Sequence, residues 1–302
     1  MRYNLITILG PTAVGKTFLG ASLAYRFGGE IISADSRQVY KGMDLGTGKD
    51  LKDYTINGRN VPYHLIDIVD PRDEFNLYLF GRSFYETFID ISSRSKIPFL
   101  VGGTGLYIHS ILKGYDLKMV EFNEQRYSEL NQLDMEELRE ILKGLSPSLH
   151  NTTDLLIKER IIRGIMVADK NGQGESIEKL EINPLVLGVK LEREQIKKRI
   201  TVRLKQRLAG GMIDEVKRLM EEGITIERME IFGLEYKYVS KFISGELNYN
   251  DMFQKLNSSI HGFAKRQMTW FRKMEKEGIE IHWIEGPDYN SAEQIISEYY
   301  FS

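Results

Sequence analysis

The first third of the chain alternates short apolar runs with longer stretches of helical spacing. Runs at 5–9, 30–34, 64–69 and 97–101 have the length and composition of buried strands. Between them, 17–27, 77–95 and 105–113 carry apolar residues three and four positions apart, the period of a helix with one buried face. Such strand–helix units predict an α/β fold, a parallel sheet flanked by helices on both faces. From about 118 to 181 the pattern changes. Segments 122–132, 134–143 and 153–169 are charged and helical in period, with a break at Ser146-Pro147 and a flexible loop at Asn171-Gly172-Gln173-Gly174. Strand character returns at 184–191, followed by helices at 193–209, 213–222, 234–244 and 249–277, a last strand at 279–284 and a short helix at 291–299. The expected organisation is a core domain of 1–117 and 182–302 carrying a helical insertion domain, 118–181.

In parallel sheets ligands bind beyond the carboxyl ends of the strands. The informative residues are therefore those that follow each strand: 10–17, Asp35-Ser36-Arg37-Gln38, Asp67 to Pro71, and Gly102-Gly103-Thr104-Gly105. The first of these is Gly10-Pro11-Thr12-Ala13-Val14-Gly15-Lys16-Thr17, a P-loop pattern placed between strand and helix. Its glycines let backbone N–H groups curl round phosphate oxygens, and the following helix adds positive potential. Lys16 supplies a charge to the outer phosphates, and the Thr17 hydroxyl can ligate Mg²⁺. Taken alone, the loop reads as an ATP or other nucleotide site.

The helix at 193–209 adds a second clue. Ile196, Ile200, Leu204 and Leu208 recur every fourth residue as a core-facing stripe, and Arg199, Arg203 and Arg207 follow one residue behind, about 100° round the helix. Arginines on that border can reach a cleft and grip phosphate, or form a solvated basic face. Another basic stretch, 263–273, interleaves Lys and Arg with Trp270 and Phe271; it fits either RNA contact or an amphipathic core helix with a basic rim.

Composition narrows the classes. The net charge of −2 argues against a globally basic nucleic-acid binder, yet ten Lys/Arg face four acids between Lys190 and Arg218, which suits one particular anionic partner. The absence of Cys excludes disulfides and thiolate zinc sites, and the five His residues show no metal-ligand spacing. No run approaches the ~18 apolar residues of a membrane span, and the first strand begins too near Met1 to leave a signal peptide. A cytoplasmic protein is expected.

The turns together resemble the tRNA dimethylallyltransferases (tRNA isopentenyltransferases). The strings that carry the resemblance are 10–17, Ile-Ser-Ala-Asp-Ser-Arg-Gln-Val-Tyr-Lys-Gly-Met-Asp-Leu-Gly-Thr-Gly-Lys at 32–49, Leu-Ile-Asp-Ile-Val-Asp-Pro at 65–71, Val-Gly-Gly-Thr-Gly-Leu-Tyr at 101–107 and Ala-Lys-Arg-Gln-Met-Thr-Trp-Phe-Arg at 264–272. They stand in family order over nearly the whole chain. The resemblance implies a P-loop NTPase-like core with a helical insertion. It implies transfer of a dimethylallyl group from dimethylallyl diphosphate to N6 of the adenosine 3′ to the anticodon, in tRNAs reading codons that begin with U.

By position, Asp35 matches the family base, Thr104 a residue near the reacting centre, and Arg203 the arginine on the diphosphate. On physical grounds Asp35 is equally open to a metal-site or capping role. Diphosphate would lie on 10–17 with Mg²⁺ at Thr17. The tRNA anticodon stem-loop would meet Asp35, Ser36, Arg37, Gln38, Thr104 and the segment Glu159-Arg160-Ile161-Ile162-Arg163, and a monomer is expected. Three strings depart from the family: Leu156-Ile157-Lys158 replaces an Asn-Asp pair, Glu235 in Phe232-Gly233-Leu234-Glu235-Tyr236 stands where an Arg is usual, reversing a charge, and Pro62-Tyr63-His64-Leu65-Ile66-Asp67 stands for the usual Pro-His-Arg-Leu-Leu-Asp. Two other classes remain open from the residues alone. One is a P-loop kinase of a nucleotide or small metabolite with 118–181 as its lid. The other is a nucleotide-driven RNA-binding switch, although no convincing Walker-B strand is present.

Overall fold

Strand β1 (Leu5–Leu9) sits in the interior of a six-stranded sheet in which every neighbouring pair is parallel. The computed structural model describes residues 3–119, 123–145, 158–169, 177 and 180–301. After β1 come α1 (Lys16–Phe27), β2 (Glu30–Ala34), a short hairpin of β3 (Thr55–Ile56) and β4 (Arg59–Asn60), and β5 (Tyr63–His64). Next are α2 (Leu77–Ser93), β6 (Pro98–Gly102) and α3 (Gly105–Leu112). The helices α4 (Glu124–Gln132), α5 (Met135–Leu145) and α6 (Lys158–Asp169) follow. The chain then continues as β7 (Pro184–Lys190), α7 (Arg193–Ala209), α8 (Met212–Glu221), α9 (Ile226–Phe232), α10 (Leu234–Ile243), α11 (Tyr249–Lys276), β8 (His282–Glu285) and α12 (Tyr289–Tyr299).

The strand order is β5-β2-β6-β1-β7-β8. Ile6 of β1 lies opposite Phe99 of β6 on one side and Leu185 of β7 on the other. All residues of β1, β2 and β6 are buried, as expected of parallel strands covered on both faces. Helix α1 packs tightly on β6, because a Cβ at Gly20 would lie 2.8 Å from the Val101 side chain. In α7 the stripe Ile196, Ile200, Leu204 and Leu208 is buried, each side chain stabilising the fold by about 1.5–3 kcal/mol.

The expected strand at 64–69 is a correction. Only Tyr63 and His64 pair with β2, because Leu65 and Asp67 adopt left-handed backbone (φ 61° and 55°) that no strand accommodates. The apolar residues there serve the core without a ladder: Leu65 and Ile66 are buried.

The chain divides into two compact units, 1–114 with 180–302, and 115–179. In the second, α4, α5 and α6 share a small core of Leu130, Leu138, Leu142, Ile161, Ile162, Ile165 and Met166. Asn123 caps α4 by accepting from the Arg126 amide at 2.9 Å. The expected break at 146–147, the loop at 171–174 and residues 153–157 fall outside the described residues. Among the described residues no helix is long and apolar enough to cross a membrane.

Candidate active site

The turns that follow β1, β2 and β6 meet at one sheet edge, because the three strands are neighbours and parallel. In the first turn Ala13 and Gly15 are left-handed (φ 67° and 91°). For Ala13 that conformation costs about 1 kcal/mol, strain held in place by the surrounding packing. Gly10 is required for space, since a Cβ would come within 2.6 Å of the Val189 carbonyl on β7. Pro11 and Val14 are buried, so the Val14 side chain anchors the loop while its backbone lines it. Lys16 donates to the Pro11 carbonyl at 3.3 Å. Burial pushes its ammonium down to about 8, with Asp35 pulling it up and Arg203 pushing it further down. That triangle places a base candidate and two cations within electrostatic reach.

After β2, Asp35 closes its own turn: its Oδ1 accepts from the amides of Arg37 at 3.0 Å and Gln38 at 3.4 Å. The Thr104 hydroxyl accepts from the Ser36 amide at 3.1 Å and lies 3.4 Å from the Ser36 hydroxyl. The Thr104 amide donates to the Ala34 carbonyl at 3.2 Å. Thr104 precedes α3 without capping it, because its hydroxyl is committed to the neighbouring turn.

Arg203 donates to the Thr12 hydroxyl. Burial lowers its pKa to about 10, with Arg207 adding to the effect while Glu235, Asp50 and Asp35 oppose it. Of the arginines on α7, Arg203 and Arg207 are half-buried and Arg193 and Arg199 are exposed. Arg207 turns to Asp50 at 3.6 Å, and its guanidinium occupies the space that a Cβ on Gly48 would take.

Sequence reasoning missed Gln267. Its carboxamide accepts from the Thr12 amide at 2.8 Å and donates to the Gly103 carbonyl at 2.8 Å, clamping the first turn to the third. The signal was a polar residue within the apolar stripe of α11, between Ala264 and Phe271. Thr12 therefore spends both amide and hydroxyl on the protein.

The segment 38–50 is fastened beside these turns. Glu215 on α8 accepts from the amides of Asp44, Leu45 and Gly46 at 2.8, 2.8 and 3.0 Å, and from the Tyr236 hydroxyl at 2.7 Å. The Lys49 side chain is fully buried and bonds the Tyr40 carbonyl, Asp44 and Asp67. Gln38 donates to the Gly48 carbonyl at 3.1 Å.

Elsewhere the structure departs from the expectations. Ile161 and Ile162 are fully buried in the helical unit, which leaves them no surface for RNA. The side chains of Glu159 and Arg160 lie outside the described residues, while Arg163 is half-buried on α6. Phe271 is fully buried and cannot stack on a base; Trp270 is half-buried beneath the Lys273 ammonium at 5.0 Å. His109, also buried, pairs with Glu277 at 2.7 Å.

A sequence model of the IPP transferase family matches residues 38–274. Among similar proteins, "tRNA dimethylallyltransferase 1" of Geotalea uraniireducens is 53% identical over 286 residues, 95% of this chain and 94% of its own. The full-length tRNA isopentenylpyrophosphate transferase of Bacillus halodurans superposes with a TM-score of 0.71 at 30% identity, over 99% of this chain and 95% of that one. A eukaryotic dimethylallyltransferase solved acting on tRNA superposes with a TM-score of 0.72 at 23% identity, over 98% and 77% respectively, a likeness of fold.

Proposed function

The chain belongs to the IPP transferase family, and from that premise we propose that it transfers a dimethylallyl group from dimethylallyl diphosphate to N6 of the adenosine 3′ to the anticodon of tRNAs reading codons that begin with U. The observation that carries this reading is the joining of the phosphate loop and the Asp35 and Thr104 turns at one edge, with the Ser36 amide on the Thr104 hydroxyl and Arg203 on the Thr12 hydroxyl. A kinase would be served by the same P-loop, but the relatives named above are prenyl-group transferases.

In the reaction the bond between the allylic carbon and the diphosphate oxygen breaks as the N6–carbon bond forms. The electron pair leaves with diphosphate, and one N6 proton must be removed. The amides of the loop, Lys16 and Arg203 stabilise the negative charge that develops on the leaving group. Asp35 takes the N6 proton; adenine N6 is a poor nucleophile, and its attack gains from proton removal in the transition state. Thr104 and Ser36 lock the Asp35 turn to its neighbour, which keeps the carboxylate in register with the loop. The target base leaves the anticodon stack to enter the site, at a lower cost than from a paired helix.

The residues fit Mg²⁺. Thr17 follows Lys16 at the start of α1, and the Asp35 carboxylate acts electrostatically on Lys16 beside it. Such a donor set suits an ion that keeps its waters and takes phosphate oxygens as ligands. Bound there, Mg²⁺ would supply charge to the departing diphosphate. The helical unit 115–179 is assigned to the anticodon stem, and the protein to the cytoplasm as a monomer.

Purified protein given dimethylallyl diphosphate, Mg²⁺ and unmodified tRNA should add one five-carbon unit to one adenosine, read by mass spectrometry of digested tRNA. No mass gain on tRNA, with ATP-dependent phosphorylation of a small molecule instead, rejects the proposal.

A further inference from the structure

Arg37 belongs to the turn that carries Asp35, yet its side chain is held by residues far along the chain. Its Nη1 pairs with Glu235 Oε2 at 3.4 Å. Its guanidinium lies over the Phe263 ring at 5.1 Å, a ring that Arg266 also approaches at 6.0 Å. It also fills the space beside Gly233, where a Cβ would come within 2.5 Å of its Cζ.

Gly233, at the junction of α9 and α10, has φ 136°, so glycine is required there twice over: for the backbone and for the guanidinium. Glu235 follows in the first turn of α10, where the helix N-terminus favours an acid. Its side chain is 9% exposed, whereas that of Arg37 is 25% exposed. A buried carboxylate at the edge of a site for polyanions opposes the ligand unless it acts through a cation. Among the described residues Arg37 is its ion-pair partner.

We propose that Glu235, with Gly233 and Phe263, forms a socket that positions the Arg37 guanidinium as a fixed fork for the RNA beside the target base. Glu235 is a positioning residue: it touches no RNA and works by preorganising the group that does. An arginine free in solvent loses side-chain entropy when it binds; one already held flat by a ring, a glycine and a carboxylate has lost it beforehand. The planar fork then offers its remaining N–H groups to phosphate or base acceptors in a set direction. Placement two residues from Asp35 on the same turn ties recognition of the RNA to the proton acceptor. The inference rests on the tRNA-prenylating reading above.

The test is steady-state modification of unmodified tRNA by the wild type, Arg37→Ala, Glu235→Gln, Phe263→Leu and the doubles Arg37→Ala/Glu235→Gln and Arg37→Ala/Phe263→Leu. Each single change should raise KM for tRNA about five- to tenfold, while kcat and KM for dimethylallyl diphosphate stay within about twofold. In the Arg37→Ala background the second change should cause no further loss, since its effect runs through the missing guanidinium, and Glu235→Gln should recover part of it by removing the unpaired carboxylate. Doubles whose losses multiply, singles that lower kcat or donor affinity instead, or singles that match the wild type overturn the socket while leaving the functional reading intact. A wild type that prenylates no tRNA overturns both.

Discussion

The Gln267 carboxamide accepts a hydrogen bond from the Thr12 amide at 2.8 Å, although 255 residues separate the two. Its other end holds the Gly103 carbonyl, so one buried side chain spans two of the three turns that build the site. Replacing Gln267 by Ala leaves a half-buried N–H and a buried C=O without this partner and should destabilise the protein by about 1–3 kcal/mol. Inorganic diphosphate should bind more weakly as the loop loosens. Thermal unfolding and titration calorimetry measure the two effects separately, and Gln267→Glu should be worse than Gln267→Ala because its carboxylate faces the Gly103 carbonyl.

Asp35 has a duty in its turn and a proposed one in catalysis, which one substitution can separate. Its Oδ1 accepts from the Arg37 and Gln38 amides, an acceptor that Asn retains. Asp35→Asn should therefore preserve the turn and the affinity for diphosphate, yet lower kcat about 10²- to 10⁴-fold through loss of the base. Collapse of diphosphate binding along with the rate would assign Asp35 to the metal site instead.

At the amino end of β2, away from the turns, Glu30 supports the fold electrostatically. Hydrogen bonds from Arg94 hold its carboxyl down to about 2 against an ordinary value of 4.5; burial opposes this and His64, at 2.8 Å, adds to it. A depressed carboxyl contributes stability above its ordinary value and loses it as pH falls toward the folded value. Stability should thus decline between pH 4.5 and 2 more steeply in the wild type than in Glu30→Gln. At pH 7 the variant should be less stable, by about 1–3 kcal/mol, with unchanged turnover. Urea midpoints across that range decide it.

Local pattern carried much of the architecture. Helix α7 spans Arg193–Ala209, the range its stripe implies, because period and burial agree along it. The strand expected at 64–69 failed where Leu65 and Asp67 turn left-handed, a conformation apolar content does not report. Helix α9 went unseen because seven residues give too little period to read. The turns after β1, β2 and β6 were legible as a group from glycines and polar residues. Their fastenings were not: Arg37 with Glu235, Thr12 with Gln267 and the 44–46 amides with Glu215 each join positions more than 150 residues apart. Spacing along a chain holds no trace of such pairs. Ile161 and Ile162 show the converse, since the family resemblance of their segment suggested RNA where the three-helix core claims both.

The parallel sheet also dictates an order of assembly on the ribosome. Strand β1 emerges first, but its pairing with β7 waits for residues 184–190, and the phosphate loop gains its Gln267 clamp only when α11 has been made. A nascent chain of two hundred residues carries the full loop motif without its fastening. Interrupted synthesis thus yields fragments with the signature of the site but not its rigid form.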